Sequence, residues 1–471
     1  MMWIPSITFF LFTLSTNCYG DNPGAKIQIT EQGLQKGVEY LVSEMMSNNT
    51  VYQLPDMVGR ENIASEDMSY EFTQIRMVKF HHGTISSQWV PETGMHVLME
   101  NGKAIINSNW KLDSWLINDS GSCVLTLIGL SVNIMMGIRR IDPGVPSIYL
   151  LDCQSSVQDV DIQMLGGVSY VFDSLKEPIQ DVVKRSVTQQ LCSSMRKEVK
   201  KWDQSFNQLN LNLTLNHLIK FDLSLVGNPE ISNLYANMGL KGYFHSPNAS
   251  HSGKDFSPAP ITIPVQNGAM IYIGISQSSL ESLCFAYYSA GFLTFQVSHM
   301  VGSKELTTSE LANYIPEISQ HFPEPTPVKI ELHSTRPPLV FLRLNNMTIQ
   351  FSGSLQTHVY PSKDKTKNIF SVNIVATFQA SISLAEAIGA QGLNFTGSMT
   401  FNGLQIEGSH PANKRQKGDV SEKRVQQLFH DVVMPVVNEK LAGGILIPSN
   451  FLTNASVSIH QGFIILAADM K

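Results

Sequence analysis

The feature of this chain that most constrains its fold is an order of elements that occurs twice. In each half the hydrophobic spacing predicts an amphipathic helix, then alternating strands, then a longer helix. A helix with one apolar stripe and a sheet with one apolar face are stable only when they cover each other. The repeat therefore predicts two α+β halves of similar design. The 471 residues suffice for two cores of roughly 200 residues each.

Each half carries two apolar stripes at helical spacing. In the first half, one helix is predicted from Thr30 to Met46 and a longer one from near Asp173. In the second half, Thr307 to Glu310 has the pattern of a capping box at a helix start. The last helix should end at Gly443-Gly444 and be kinked by Pro435. The residues on the stripes are Leu34, Val38, Leu41 and Met45, then Ile179, Val183 and Val187, then Leu311, Ile315 and Ile318, and finally Phe429, Val433 and Val436.

The ends and the middle of the chain suggest an exported protein of two domains. Residues 1–20 are uncharged and apolar with small residues at their end, which is typical of a secretory signal peptide. Residues 246–264 contain four prolines and form the predicted linker between a first half, 21–245, and a second half, 265–471. Asn-x-Ser/Thr sequons predict surface glycosylation. They begin at Asn48, Asn118, Asn212, Asn248, Asn346, Asn394 and Asn454.

Charge and motifs exclude several classes of function. Residues 21–230 contain 17 Lys and Arg but 24 Asp and Glu, a net charge of −7, which argues against a nucleic-acid partner. The chain lacks a G-x-S-x-G elbow, an H-E-x-x-H motif and a phosphate-binding glycine loop, so we expect neither an enzyme nor a cofactor. His81 and His82 should point to opposite faces of a strand, where they would not share a metal ion.

Four cysteines follow the predicted signal peptide, and an oxidising compartment favours their pairing. They are Cys123, Cys153, Cys192 and Cys284. Four cysteines permit three connectivities, and spacing does not choose among them. No C-x-x-C pair or His/Cys cluster predicts a zinc site.

Several short motifs in a fixed order resemble one family. They are Asn22-Pro-Gly-Ala-Lys-Ile27, Trp89-Val-Pro91, Asn107-Ser-Asn-Trp-Lys111, Pro258-Ala-Pro260, Met270-Ile-Tyr-Ile-Gly274 and Pro435-Val-Val-Asn-Glu-Lys-Leu441. The family comprises bactericidal/permeability-increasing protein, lipopolysaccharide-binding protein and the plasma lipid transfer proteins. The resemblance covers residues 21–471 in order.

The resemblance implies an α+β fold shaped like an elongated boomerang. Two pseudo-symmetric barrels of twisted sheet, each with amphipathic helices, would be joined by a central sheet to which the second half contributes strands. It also implies one apolar pocket per barrel for acyl chains, lined by the stripe residues named above, although plain core packing is the alternative role for each of them. Cys153 and Cys192 match the family's shared disulfide, whereas Cys123 and Cys284 have no assigned partner.

Two stretches depart from the family members that bind lipopolysaccharide through lysine-rich loops at the tip of the first barrel. The matching stretches here are Gly59–Asp67 and Trp110–Asp119, which contain two basic and five acidic residues. Clustered cations favour binding of lipid A phosphates, so a cationic attack on bacterial membranes is not expected. Trp110, Trp115 and Leu116 could contact a lipid surface or cover the end of the barrel.

The leading hypothesis is a secreted, monomeric protein that captures phospholipid or lipopolysaccharide in extracellular innate defence and contacts membrane or micelle surfaces. The alternative is an extracellular lipid transfer or carrier protein without lipopolysaccharide binding or bactericidal activity. A third hypothesis is a scaffold or receptor-binding protein in which the lipid is only structural. The charge of the two tip stretches separates the first two.

Overall fold

The computed structural model describes residues 22–47, 52–63, 66–115, 117–166, 169–214, 219–247, 256–264, 268–299, 305–362, 365–386, 392–407, 421–448 and 452–471. The predicted signal peptide, two sequons (Asn48 and Asn248), Leu116 and residues 248–255 of the predicted linker lie outside the described residues. In the described part no helix is long and apolar enough to cross a membrane.

The first half folds around a seven-stranded N-terminal sheet with the order β2-β4-β6-β7-β8, in which β3 pairs with β4 and β5 with β6. Its strands are β2 (Tyr52–Gln53), β3 (Met57–Ile63), β4 (Glu66–His81), β5 (Thr84–Val90), β6 (Gly94–Asp113), β7 (Asn118–Ile141) and β8 (Val145–Leu165). Side chains alternate between buried and exposed along β6 and β7, as expected for a sheet with one covered face. The covering element is α2 (Ser169–Asn207), which packs along β8.

The second half has a seven-stranded C-terminal sheet with the order β15-β16-β18-β19-β20-β21, in which β17 pairs with β18. Its strands are β15 (Thr294–Val297), β16 (Val328–Ser334), β17 (Leu339–Arg343), β18 (Asn346–Ser362), β19 (Lys365–Glu386), β20 (Gly392–Ile406) and β21 (Ile445–Pro448). The helix that covers it consists of α6 (Glu422–Leu428), a π-helical turn (Phe429–Val433) and α7 (Met434–Ala442). The π turn ends at Val433, two residues before Pro435, which has no N–H to continue the α-helical bonding, so the helix is irregular next to the proline at which a kink was predicted.

A six-stranded central sheet joins the halves in the order β11-β12-β1-β14-β23-β22. Its strands are β1 (Ala25–Thr30), β11 (Glu230–Ile231), β12 (Tyr235–Leu240), β14 (Ile271–Ser276), β22 (Leu452–His460) and β23 (Phe463–Met470). The junction is the antiparallel pair β1 and β14, in which Ile27 lies opposite Ile273. A small sheet of β9 (Asn212–Thr214), β10 (Lys220–Asp222) and β13 (Phe244–His245) lies outside it. The expected fold class, two curled sheets with helices joined by a central sheet, is confirmed.

Each strand of the central pair leads directly into a helix. Strand β1 continues into α1 (Glu31–Ser47), where the Thr30 hydroxyl accepts a hydrogen bond from the Gly33 N–H at 3.2 Å. Strand β14 continues into α3 (Gln277–Ser289), where the Ser276 hydroxyl accepts one from the Ser279 N–H at 3.1 Å. The two strand-helix units are therefore equivalent, and α3 opens the second half.

The helix predicted from Thr307 is wrong in extent. The chain forms two single turns instead, α4 (Thr308–Leu311) and α5 (Ile318–His321). Pro316 lies between them, and it lacks the N–H for a helical bond and disfavours helical backbone at the preceding residue. The Thr307 hydroxyl donates to the Glu310 carboxylate and does not cap a backbone N–H.

Candidate functional site

The predicted pocket residues of α2 lie in a closely packed core. Ile179, Val183 and Val187 are 2%, 0% and 7% exposed. They pack on the covered face of the N-terminal sheet with residues such as Phe72 and Leu125. Side chains this well covered stabilise the α2-sheet contact, and each contributes on the order of 1.5–3 kcal/mol through burial.

The predicted pocket residues of α1 lie elsewhere. Leu34 is buried and Val38 half-buried in a cluster with Trp89, Ile231 and Ala236. Leu41 is 48% exposed. Met45 belongs to α1, but its side chain lies outside the described residues. The structure therefore does not bring the two predicted stripes of the first half into one cluster.

Half-buried Met95 connects α1 to the C-terminal part of α2. Its side chain packs in the α1 cluster and also in a second cluster with Val199, Met195 and Trp202 of α2. We name this continuous apolar contact, formed by Leu34, Val38, Met95, Met195 and Trp202, the N-terminal seam. Because Val38, Met95, Met195 and Trp202 are only partly buried, the seam presents apolar surface to solvent.

The predicted pocket residues of the second half do come together. Leu311, Ile315, Ile318, Phe429 and Val433 are at most 6% exposed and form one cluster, against which half-buried Val436 packs. The helix predicted from Thr307 is wrong in extent, but its apolar residues Leu311, Ile315 and Ile318 are nevertheless buried. Both short turns pack against the same sheet.

Half-buried Met399 is the counterpart of Met95. It packs against the cluster of α6 and α7, and also against a cluster that contains Leu280 and Cys284 of α3. The Asn438 amide accepts from the Met399 N–H at 2.8 Å and donates to its carbonyl at 2.9 Å, which fixes α7 on β20 at this point. We name the contact formed by Leu280, Cys284, Met399 and Val436 the C-terminal seam.

The two seams occupy equivalent positions, since each lies between the helix that follows a central strand, the long helix of its half and the adjacent sheet. Sequence reasoning missed Trp89, Met95, Leu280 and Met399 as site residues. Met95 and Met399 lie on strands, where alternation assigns a residue to a face but does not distinguish these methionines from other apolar strand residues. The one available signal was the frequency of methionine, 20 residues in all, because flexible thioethers suit adaptable apolar surfaces.

A disulfide joins Cys153 of β8 to Cys192 of α2, with the Cα atoms 5.7 Å apart, so the implied pairing is confirmed. Cys153 borders the α2 part of the N-terminal seam, and the bond holds the helix against the sheet there. Cys123 and Cys284 are free thiols. Burial raises the pKa of Cys123 to about 12. Burial, followed by the charge of Glu281, raises the pKa of Cys284 to about 11.

The two acidic tip stretches lie side by side at one end of the N-terminal sheet. Ser69 of β4 pairs with Asp113 of β6, which pairs in turn with Asn118 of β7. Trp115 in the connecting turn is 79% exposed, which leaves it available to a lipid surface. Trp110 is 6% exposed and donates from Nε1 to the Ser122 carbonyl at 3.1 Å, so it belongs to the core.

In the part of the chain that the structure describes, no cluster of three or more His, Cys, Asp and Glu side chains could hold a metal ion. His81 and His82 do not point to opposite faces as predicted. Their rings stack with centroids 5.7 Å apart, because His82 lies beyond the end of β4, where strand alternation stops.

The described sequons differ in accessibility. Asn118, Asn212 and Asn454 are exposed, whereas Asn346 and Asn394 are partly buried. An oligosaccharide needs an asparagine amide that projects into solvent, so the first three satisfy the steric requirement as they stand.

Comparison with known proteins gives two family matches. Residues 33–202 match the N-terminal domain, and residues 214–471 the C-terminal domain, of the LBP / BPI / CETP family. A BPI fold-containing family C protein of Homo sapiens is 26% identical over 462 residues, which cover 95% of this chain and 89% of the relative. A bactericidal permeability-increasing protein of Sebastes schlegelii is 22% identical, covering 100% and 98% of the two chains. A crystal structure of lipopolysaccharide binding protein superposes with a TM-score of 0.58 at 19% identity, covering 96% of this chain and 99% of that one, which shows the shared fold.

Proposed function

The chain belongs to the LBP / BPI / CETP family, and from this premise we propose that it is a secreted protein that holds acyl chains of phospholipid or lipopolysaccharide in its two seams. It is a lipid-binding protein of the LBP/BPI type and not an enzyme. Its role would be lipid capture in extracellular innate defence, as a monomer that touches membrane or micelle surfaces. Export would follow from the leader at residues 1–20, with glycans at Asn118, Asn212 and Asn454.

The observation that carries this proposal is the pair of equivalent seams. In each seam a half-buried, flexible methionine on a strand joins two buried apolar clusters beside a helix. Bound acyl chains would remove this apolar surface from water, which stabilises the complex by about 25 cal/mol for each Å² buried. Methionine adapts to chains of different length and unsaturation at little energetic penalty.

The acidic tip favours a second candidate function, lipid transfer or carriage without lipopolysaccharide binding. Arg60 and Lys111 are the basic residues of the two tip stretches, and both are exposed. The same two stretches contain five acidic residues, so the tip lacks the cluster of cations that the phosphates of an anionic glycolipid prefer.

Lipid content of the purified full-length protein tests the proposal. Gentle purification followed by extraction and mass spectrometry should yield about two phospholipids per chain, one for each seam, since ligand sites of this kind are apolar and few per protein. Replacing Met95 with Glu should remove the lipid of the first half alone, and Met399→Glu that of the second half alone, because each places a charge on one acyl contact.

A matched control is Met135→Glu, on β7, whose side chain belongs to none of the clusters that form the seams. This variant should retain both lipids. A folded wild-type protein that carries no lipid and takes up no fluorescent phospholipid contradicts the proposal.

A further inference from the structure

Trp89 presents a buried hydrogen-bond donor with no acceptor in the part of the molecule that the structure describes. The side chain is 5% exposed, and its Nε1 atom has no partner. Trp110, which is equally buried at 6%, donates from Nε1 to the Ser122 carbonyl. An unsatisfied N–H in an apolar environment is unfavourable, and most buried polar groups avoid it. Trp89 is therefore an exception that needs a physical reason.

Trp89 packs in an apolar cluster. It lies on β5 directly opposite Met95, the residue that joins the two clusters of the N-terminal seam. Leu34, Ile231 and Ala236 complete the buried part of its cluster. The side chains of this cluster carry no oxygen acceptor, and Nε1 has no hydrogen-bond partner in the described part of the chain.

Backbone carbonyls around the cluster are already engaged. The Thr93 carbonyl accepts from the Ile138 N–H at 3.2 Å, and the Ile231 carbonyl accepts from the Glu92 N–H at 3.1 Å. The Val90 carbonyl accepts from the Thr93 N–H at 3.1 Å. Each of these carbonyls accepts a main-chain N–H, and none of them is a partner of the indole N–H in the described part of the chain.

The surface beside this cluster is concave. An open depression of about 400 Å³ is lined by Glu92, Pro229, Glu230, Ile231, Ser232 and Tyr235. Ile231 lines the depression and also packs in the Trp89 cluster. On the side of α1 the cluster is bordered by half-buried Val38 and Met95, so an acyl chain covering them comes close to the indole.

We propose that Trp89 Nε1 donates a hydrogen bond to the carbonyl oxygen of an acyl chain bound in the N-terminal seam. This rests on the proposed function, because it requires lipid in that seam. The carbonyl is the polar atom at the head of an otherwise apolar chain, so one donor among apolar groups fixes how deep the chain lies. The same chemistry serves the ester of a phospholipid and the carboxyl group of a free fatty acid. Trp89 thereby selects acyl lipids over alkyl ones.

The test compares acyl with alkyl ligands on the full-length, delipidated protein. The probes are a pyrene-labelled diacyl phosphatidylcholine, its dialkyl ether counterpart without ester carbonyls, and a pyrene-labelled fatty acid. Wild type should bind the diacyl probe about five-fold more tightly than the ether probe, the effect of one neutral buried hydrogen bond. Trp89→Phe, which keeps the apolar ring and removes the N–H, should abolish this preference.

Trp110→Phe is the matched control, because it removes an indole N–H that already has a protein acceptor. It should lower the midpoint of denaturant unfolding of the delipidated protein and leave the preference for the diacyl probe intact. Trp89→Phe should leave that midpoint equal or higher, since it removes an unsatisfied donor. A midpoint lowered as far as in Trp110→Phe would mean that Trp89 has a protein partner, and would overturn the inference.

The outcomes separate the inference from the proposed function. Loss of affinity in Trp89→Phe for the diacyl probe, the fatty acid or both supports the inference and identifies the source of the carbonyl. Equal affinity of wild type and Trp89→Phe for all three probes overturns it while the proposed function stands. Failure of wild type to bind any probe removes the proposed function and the inference together. If Trp89→Phe did not fold, equal binding of the ester and ether probes by wild type would still overturn the inference.

Discussion

At the scale of single residues, the disulfide between Cys153 and Cys192 constrains the first half. Cys153 and Cys192 are 39 residues apart, and closing a loop of that length stabilises the fold by about 4 kcal/mol in the chain-entropy model. Replacing either with Ser should lower the free energy of unfolding by roughly 2–5 kcal/mol and reduce secretion. Denaturant titration measures the first effect, with Cys284→Ser as the control that breaks no bond. Peptide mapping that links either cysteine to Cys123 or Cys284 would contradict the pairing.

The buried thiol of Cys123 makes stability depend on alkaline pH. Its pKa is raised from 9.0 to about 12 because burial penalises the thiolate. The folded state therefore holds this proton more tightly than the unfolded state. The stability it contributes is complete below pH 9 and is lost as the pH rises towards 12, by at most about 1.4 kcal/mol per pH unit. The midpoint temperature of thermal unfolding should thus fall more steeply above pH 9 for wild type than for Cys123→Ala. Parallel plots of midpoint against pH for the two proteins would exclude this coupling.

At the scale of elements, Asn438 should anchor α7 to the C-terminal sheet. Its amide bonds both the N–H and the carbonyl of Met399 on β20. Asn438→Ala leaves both backbone groups without this partner and should lower the free energy of unfolding by about 1–3 kcal/mol. It should also loosen the C-terminal seam and lower lipid retention there. Asn438→Asp keeps the acceptor for the Met399 N–H but places a carboxylate oxygen against the Met399 carbonyl, so it should not restore the stability of the wild type. Equal stability of wild type and Asn438→Ala, measured by denaturant titration, would show that the anchor is dispensable.

The helices show what local pattern can predict. The α1 and α2 helices could be predicted from apolar residues at three- and four-residue spacing, because this spacing is a property of the local sequence and does not depend on tertiary contacts. The α3 helix was missed because its sequence, QSSLESLCFAYYS, is rich in serine and has a narrow apolar stripe. At Thr307 a valid start signal was present, but Pro316 limited the helix to one turn. The stripes of α1 and α2 were thus sufficient to predict a helix, whereas the start signal at Thr307 did not predict how far the helix extends.

At the scale of the whole molecule, the two halves and their class were predictable, but the seams were not. Each seam depends on contacts between segments far apart in the chain, such as those of Leu34, Met95 and Trp202. Periodicity assigns a residue to a face, but it does not say which other face will cover it. The stripes of α1 and α2 therefore looked like one pocket, whereas Val183 is core and Val38 lies in the seam.

The placement of charge over the whole molecule leads to the last prediction, on lipopolysaccharide. Residues 21–230 have a net charge of −7, and the two acidic tip stretches adjoin through the β4-β6-β7 pairing. The tip therefore supplies no cationic field to steer an anionic glycolipid, an effect that can raise association rates by about 10 to 1000-fold and that falls steeply with salt. Binding of lipopolysaccharide by wild type should be weak, nearly independent of ionic strength and accompanied by little bactericidal activity.

Reversing the tip charge tests this directly. Changing Glu61, Glu66 and Asp67 to Lys should strengthen lipopolysaccharide binding at low salt and leave uptake of zwitterionic phospholipid unchanged, because only the steering term is altered. The control is the same change of charge at Glu100, Asp142 and Asp152, which are exposed and lie away from the tip hairpins. It should strengthen lipopolysaccharide binding less than the change at the tip. Binding titrations at low and high salt compare the three proteins. Tight, strongly salt-sensitive binding by wild type would contradict the prediction, and the cations would then have to come from the outer face of α2, with Lys184, Arg185, Lys197, Lys200 and Lys201.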